Sequence, residues 1–268
     1  MASKKRKKRS SAKRAMRILL LVAVLMIVLL GIALLIWGVK NVLSRGSGDN
    51  NPTTTTAPTT TTTHPTALYV DGHYVQQEVP AWNLRLVNGW NVLSADYPYE
   101  EHLTNQFGSA LRYDSRAADA LQQMMNAGAA YGLRPVSLFR AYDHQVSLFN
   151  REVNEWKSLG YNQADAEAKA STEVARPGTS EHHLGLAADI LSSGIYSLEE
   201  SFEDTDAFAW LYAHCAEYGF ILRYPKDKEH ITGVIYEPWH YRYVGVEAAT
   251  EIMSRGLCLE EYLAETYG

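Results

Sequence analysis

Ser180-Glu181-His182-His183-Leu184-Gly185-Leu186-Ala187-Ala188-Asp189 is the stretch from which the folded part of this 268-residue chain can be read. His182 and Asp189 stand seven positions apart, with Gly185, Ala187 and Ala188 between them. Small residues let the backbone fold closely, so an imidazole and a carboxylate can converge on one point. A second dense polar stretch is Glu237-Pro238-Trp239-His240, where a carboxylate and an imidazole are three apart beside a proline. Two imidazoles and one aspartate are the donor set of a catalytic zinc centre that leaves its fourth position to water. Zinc lowers the pKa of that water toward neutrality. A carboxylate that is not a ligand can take the proton and pass it to a leaving amine, and Glu237 is the candidate. Spacing alone leaves a metal centre and a pair of ordinary polar histidines both open.

Working outward, the flanking sequence reads as helices mixed with short strands. Tyr69–Val79 and Leu84–Leu93 suit extended segments separated by turn residues. Ala117, Ala120, Leu121, Met124 and Met125 repeat at helical spacing, which predicts a helix from an Asp114 N-cap to a Gly132 C-cap. Pro135–Phe139 is a brief strand ending at Arg140. His144–Leu159 and Asn162–Val174 read as two helices, the stretch from Asn150 to Val174 being either a lid or a surface elaboration. Leu186–Leu191 suits a strand and Asp206–Tyr218 a helix closed by Gly219. Phe220–Tyr224 and Ile231–Glu237 suit a pair of strands. Val246–Arg255 reads as a helix ended by Gly256, with a short one from Leu259. This order predicts an α+β fold, a small antiparallel sheet with surrounding helices, over residues 67–268.

The residues then match a family. S-x-H-x-x-G-x-A-x-D followed by E-P-W-H resembles the VanY-like D-alanyl-D-alanine carboxypeptidases, of the LAS/Hedgehog-like zinc peptidases. Phe139-Arg140-Ala-Tyr-Asp-His-Gln145, Gly219-Phe-Ile-Leu-Arg-Tyr-Pro225 and Trp239-His-Tyr-Arg-Tyr-Val-Gly245 extend the resemblance from about Asn83 to the C-terminus. It implies that His182, Asp189 and His240 hold Zn2+ and that Glu237 is the general base and acid. It implies further that Arg140 pairs with the substrate's C-terminal carboxylate, and that Gln145 and Ser180 bind substrate near that end. A planar guanidinium suits a carboxylate bidentately, which gives the Arg140 role a physical basis. One departure is Ala141, where the family often carries Ser or Thr; it removes a hydroxyl from the carboxylate pocket. The implied activity is D,D-carboxypeptidase action on peptidoglycan stem peptides, by a monomer. L,D-carboxypeptidase action on tetrapeptide stems is the alternative, and so is a non-catalytic wall-binding domain of the same fold. The other histidines read as structural; His144 stands in the Arg140–Gln145 segment and could line a pocket, and His183 could be a further ligand.

The N-terminal quarter is unlike the rest. The first forty-five residues hold 11 of the 25 Lys and Arg and no acid, whereas from Gly46 onward 14 Lys and Arg face 30 Asp and Glu, a balance of −16. So acidic a domain repels phosphates, which argues against nucleic acid as a partner. Residues 1–17 are a basic tail. Residues 18–39 are an unbroken apolar run, and at about 1.5 Å per residue it would span roughly 33 Å. With nine Lys and Arg before it and only Lys40 and Arg45 close behind, the run reads as a single-pass anchor with the folded domain outside the cell. Residues 40–66, rich in Thr and Pro, have almost nothing to bury and read as a disordered tether. Cys215 and Cys258 are too few for a disulfide scaffold and are either one bridge or two buried thiols.

Overall fold

The computed structural model of the protein describes residues 68–94 and 96–268. The basic tail expected over 1–17, the anchor over 18–39 and the tether over 40–66 lie outside the described residues. Among those described, no helix is long and apolar enough to cross a membrane.

The class is α+β. Two small hairpins open the domain: β1 (Leu68–Val70) with β2 (His73–Val75), then β3 (Leu103–Asn105) with β4 (Arg112–Asp114). Asp71 and Gly72, both at positive φ, make the first hairpin turn. Helix α1 (Ala118–Ala127) follows, then β5 (Leu133–Ser137), α2 (Tyr142–Ser158) and α3 (Gln163–Glu173). Next come β6 (Ala187–Ser192), α4 (Asp206–His214), β7 (Phe220–Leu222), the single turn α5 (Glu229–Thr232) and β8 (His240–Tyr243). Helices α6 (Val246–Arg255) and α7 (Leu259–Tyr267) complete the chain. Strands β5 to β8 form one antiparallel sheet in the order β5-β6-β8-β7. Pro135 is tolerated in β5 because that strand is an edge, and the register shifts between Pro135 and Ser137.

Strand β6 is paired on both sides, and all six of its residues are buried. Ala188 and Ile190 join Leu121, Met124 and Met125 of α1 and Leu211 of α4 in the main core. Asp189, between them in sequence, takes the opposite face. A second core joins Ile221 of β7 to Ala249 and Ile252 of α6 and to Leu259 and Leu263 of α7. Cys215 and Cys258 are both buried free thiols, so of the two readings it is the unbridged one that the structure holds.

Three expectations are corrected. Ile231–Glu237 is not a strand: α5 is closed by Gly233 at φ 74, whose N–H bonds Glu229 O at 2.8 Å, and β7 pairs instead with β8. A short apolar run carries no period long enough to separate a strand from a helical turn. Leu84–Leu93 is not extended either. Asn88 Oδ1 accepts from the N–H groups of Trp90 and Asn91 at 3.0 Å each, folding the segment into a side-chain-held turn. Asp114 does not cap α1. It ends β4, accepts the Arg116 N–H at 2.9 Å, and leaves α1 to begin at Ala118.

Candidate active site

Sheet register brings the donors together. Asp189 of β6 is the cross-strand partner of His240 of β8 on one side and of Ser137 of β5 on the other. His182 comes from a 3-10 turn, Glu181–Leu184, which Gly185 closes at φ 68. The positive φ at Gly185 is a conformation that residues other than glycine rarely adopt, which is why this position takes glycine. Ligand atoms of His182, Asp189 and His240 all lie within 4.8 Å of one another, and all three residues are buried. Asp189 Oδ2 is 3.2 Å from His182 Nε2, and Asp189 Oδ1 is 3.1 Å from His240 Nδ1.

These residues fit a divalent ion. His182 Nδ1 donates to Leu138 O at 2.5 Å, which fixes the tautomer and leaves the Nε2 lone pair toward Asp189. Burial holds the His182 imidazole below its ordinary pKa, hence neutral, as a ligand must be. Asp189 Oδ1 is buried and makes no hydrogen bond. Burial resists the Asp189 charge, yet the two imidazoles hold its carboxyl well below the usual range. At His240 burial again opposes charge, but contact with Asp189 and Glu181 lifts the imidazole to about 9. The site thus draws positive charge to this point, which a metal ion would supply by displacing that proton.

Glu237 stands beside the donors, its carboxylate 3.5 Å from His240 Nδ1. Burial, reinforced by the charge on Asp189, pushes its carboxyl up to about 7, with His240 and Arg140 offsetting part of the effect. A carboxylate so poised can both accept and deliver a proton near neutrality. Glu237 lines a cleft of about 500 Å3 together with Arg140, Ser180, His182, Asp189, Trp239 and His240. Leu148 and residues 171–175 form one wall, so the α2–α3 segment is a side of the cleft as well as a surface feature. Leu198, Val234 and Ile235 also line the cleft.

Arg140 enters the cleft on a held backbone. Its N–H bonds His182 O at 3.1 Å, and its carbonyl accepts from His183 Nδ1 at 2.7 Å. The guanidinium donates to Gln145 Oε1 at 2.9 Å and Ser137 Oγ at 3.1 Å, and lies 3.8 Å from Asp189. Gln145 is fully buried behind Arg140, with its amide donating to Ala175 O at 2.6 Å. It therefore orients the guanidinium and is not part of the cleft wall. Both ring nitrogens of His183 are used, one on Arg140 O and one accepting from Gly178 N at 3.3 Å, so no lone pair is left for an ion. His144 is exposed and does not line the cleft.

Sequence reasoning did not single out Glu181. Its side chain is fully buried, and Oε1 accepts from Arg223 Nε at 2.7 Å and Arg242 Nη1 at 2.8 Å. Arg223 in turn makes a two-pronged pair with Glu260 of α7 at 2.7 and 2.9 Å, and Asn88 donates to Glu260 at 3.0 Å. Two acids and two arginines cancel in charge inside the core. Glu181 Oε2, left over, lies 3.6 Å from His240 Nε2. The signal available was a carboxylate directly before His182, in a segment already marked.

Residues 110–246 match the model of the family VanY, D-alanyl-D-alanine carboxypeptidase. A D-alanyl-D-alanine carboxypeptidase of Enterococcus faecalis (strain ATCC 700802 / V583) is 45% identical over 190 residues, 70% of this chain and 68% of that protein. The chain spans between 48% and 68% of the length of the four curated relatives it matches. Among solved structures, VanYB in complex with D-alanine-D-alanine is 46% identical with a TM-score of 0.61, covering 70% of this chain and 100% of that one. The LD-carboxypeptidase LdcB is 40% identical with a TM-score of 0.60, covering 74% and 92%. A mutant of the D,D-pentapeptidase VanY, solved with Zn(II), is 46% identical with a TM-score of 0.60, covering 68% and 99%.

Proposed function

Since the chain belongs to the VanY family of D-alanyl-D-alanine carboxypeptidases, we propose that its folded domain is a zinc-dependent D,D-carboxypeptidase that releases the terminal D-alanine of peptidoglycan stem peptides. The observation that carries this reading is one cleft lined by three buried metal donors together with the partly exposed Glu237 and Arg140. His182, Asp189 and His240 hold the ion, which when bound polarises the scissile carbonyl and acidifies a water. Arg140, oriented by Gln145 and Ser137, receives the substrate's terminal carboxylate and so measures one residue from the chain end. Glu237 takes the proton of the attacking water and returns it to the departing amine. Ser180, buried on the cleft wall, offers a hydroxyl to the bound peptide.

The likeness to LdcB favours a second specificity, L,D cleavage of tetrapeptide stems. Digestion of purified muropeptides, read by mass spectrometry, separates the two. Loss of one alanine from pentapeptides with tetrapeptides left whole supports the D,D reading, and the reverse pattern replaces it. A chain that binds both peptides and cuts neither makes the domain a wall-binding module.

We further propose that residues 18–39 anchor the protein in a bacterial membrane, with residues 40–66 as a tether and the domain, as a monomer, on the wall side. Support comes from the charge-free apolar run and the Lys and Arg that precede it. Protease added to intact cells should release the domain; protection of the domain would reverse the orientation.

A further inference from the structure

We propose that Glu181 is a positioning residue that sets the tautomer of His240, so that Nε2 carries the proton and Nδ1 is free to bind the metal. The proposal rests on the metal-centre reading above and goes one layer behind it. His240 turns Nδ1 toward Asp189 and Glu237 and Nε2 toward Glu181 Oε2. Both His240 Nε2 and Glu181 Oε2 are buried, and neither has a hydrogen-bond partner elsewhere among the described residues. At 3.6 Å the contact is electrostatic, longer than a formed hydrogen bond. Its sign is still decisive. A lone pair on Nε2 would face a carboxylate oxygen in a dry site, whereas an N–H there is attracted to it. Metal-bound imidazoles commonly give their other N–H to a carboxylate, which fixes ring and tautomer together.

The two arginines make the arrangement one-way. Arg223 and Arg242 both donate to Glu181 Oε1, so only an acceptor can occupy that side. In Glu181→Gln the amide oxygen must therefore face the arginines, and the amide NH2 must face His240. The polarity presented to Nε2 is inverted, and the proton is driven to Nδ1, where it blocks the ion. Glu260→Gln removes a charge from the same buried cluster without altering any atom that faces His240.

The test uses the full chain and two probes, zinc and cobalt(II). Zinc affinity is measured by competition with a chromogenic chelator, and the cobalt ligand field by visible absorption. Glu181→Gln should bind zinc about 10- to 100-fold more weakly, with an altered cobalt spectrum. Glu260→Gln should stay close to wild type in both, even if its melting temperature falls. Equal loss in the two variants would assign the effect to the charge cluster and overturn the proposal, as would an unchanged Glu181→Gln. Should Glu181→Gln fail to fold, 15N spectra of histidine-labelled, zinc-loaded wild type decide the matter. A slowly exchanging proton on His240 Nε2 is expected, and a proton there in free exchange with water overturns the assignment. Wild type that takes up no zinc at all would instead remove the metal reading itself.

Discussion

Asp189 and His240 are cross-strand partners, and their side chains meet at 3.1 Å between Oδ1 and Nδ1. Two of the three donors are therefore spaced by the β6–β8 hydrogen-bond ladder and not by loop conformation. A slip of one residue in that register would leave one of the two on the cleft side and turn the other to the opposite face. The site is rigid for this reason, and single side chains in it can be changed with the backbone held.

Replacing Glu237 by Gln keeps the shape and removes the base. D-alanine release should fall about 10^2- to 10^4-fold, while zinc content measured by atomic absorption stays near one ion per chain. Activity within about tenfold of wild type would place proton transfer elsewhere.

Arg140→Ala should act on the substrate's end group. Deleting one member of a buried charge pair costs roughly 2–5 kcal/mol, so kcat/KM for a peptide with a free carboxylate should fall at least about thirtyfold. The same peptide, amidated, should lose little. Parallel losses on the two peptides would refute a carboxylate clamp.

Gln145→Ala should produce a milder version of that change. It removes the acceptor from one Arg140 N–H, and a hydrogen bond to a charged group contributes about 1.5–3 kcal/mol. KM should rise by about tenfold or more with kcat nearly kept. A fall in kcat at constant KM would mean that Gln145 serves the chemical step instead.

Removing the metal should show in stability as well as turnover. Zinc at about 100 times its Kd adds ~2.7 kcal/mol to the folded state, which for a domain of this size is about 5–10 °C in melting temperature. A chelator should abolish both the activity and this increment, and added zinc should restore both. A melting curve indifferent to chelation would speak against a site made from core residues.

The metal donors were legible in the sequence because each motif is local. His182 and Asp189 share one short segment, and His240 and Glu237 another. The elements at their borders were less so. Asn88 and Gly233 redirect the chain through side-chain acceptance and positive φ, which leave no trace in apolar periodicity. Gln145 reads from its motif as a substrate contact, but only coordinates reveal that it stands behind Arg140. Glu181 was hidden for a related reason: its partners Arg223 and Arg242 are 42 and 61 positions away, and a single sequence carries no record of such pairings.

The Asn88–Glu260–Arg223 chain reaches past both edges of the segment that matches the family, residues 110–246. A cassette cut to that segment for grafting or swapping would keep every catalytic group and still deprive Arg223 of one of its two buried counter-ions, leaving Glu181 to serve two arginines. Engineers who want the chemistry to travel should move the segment from Asn83 through α7 as one transplant.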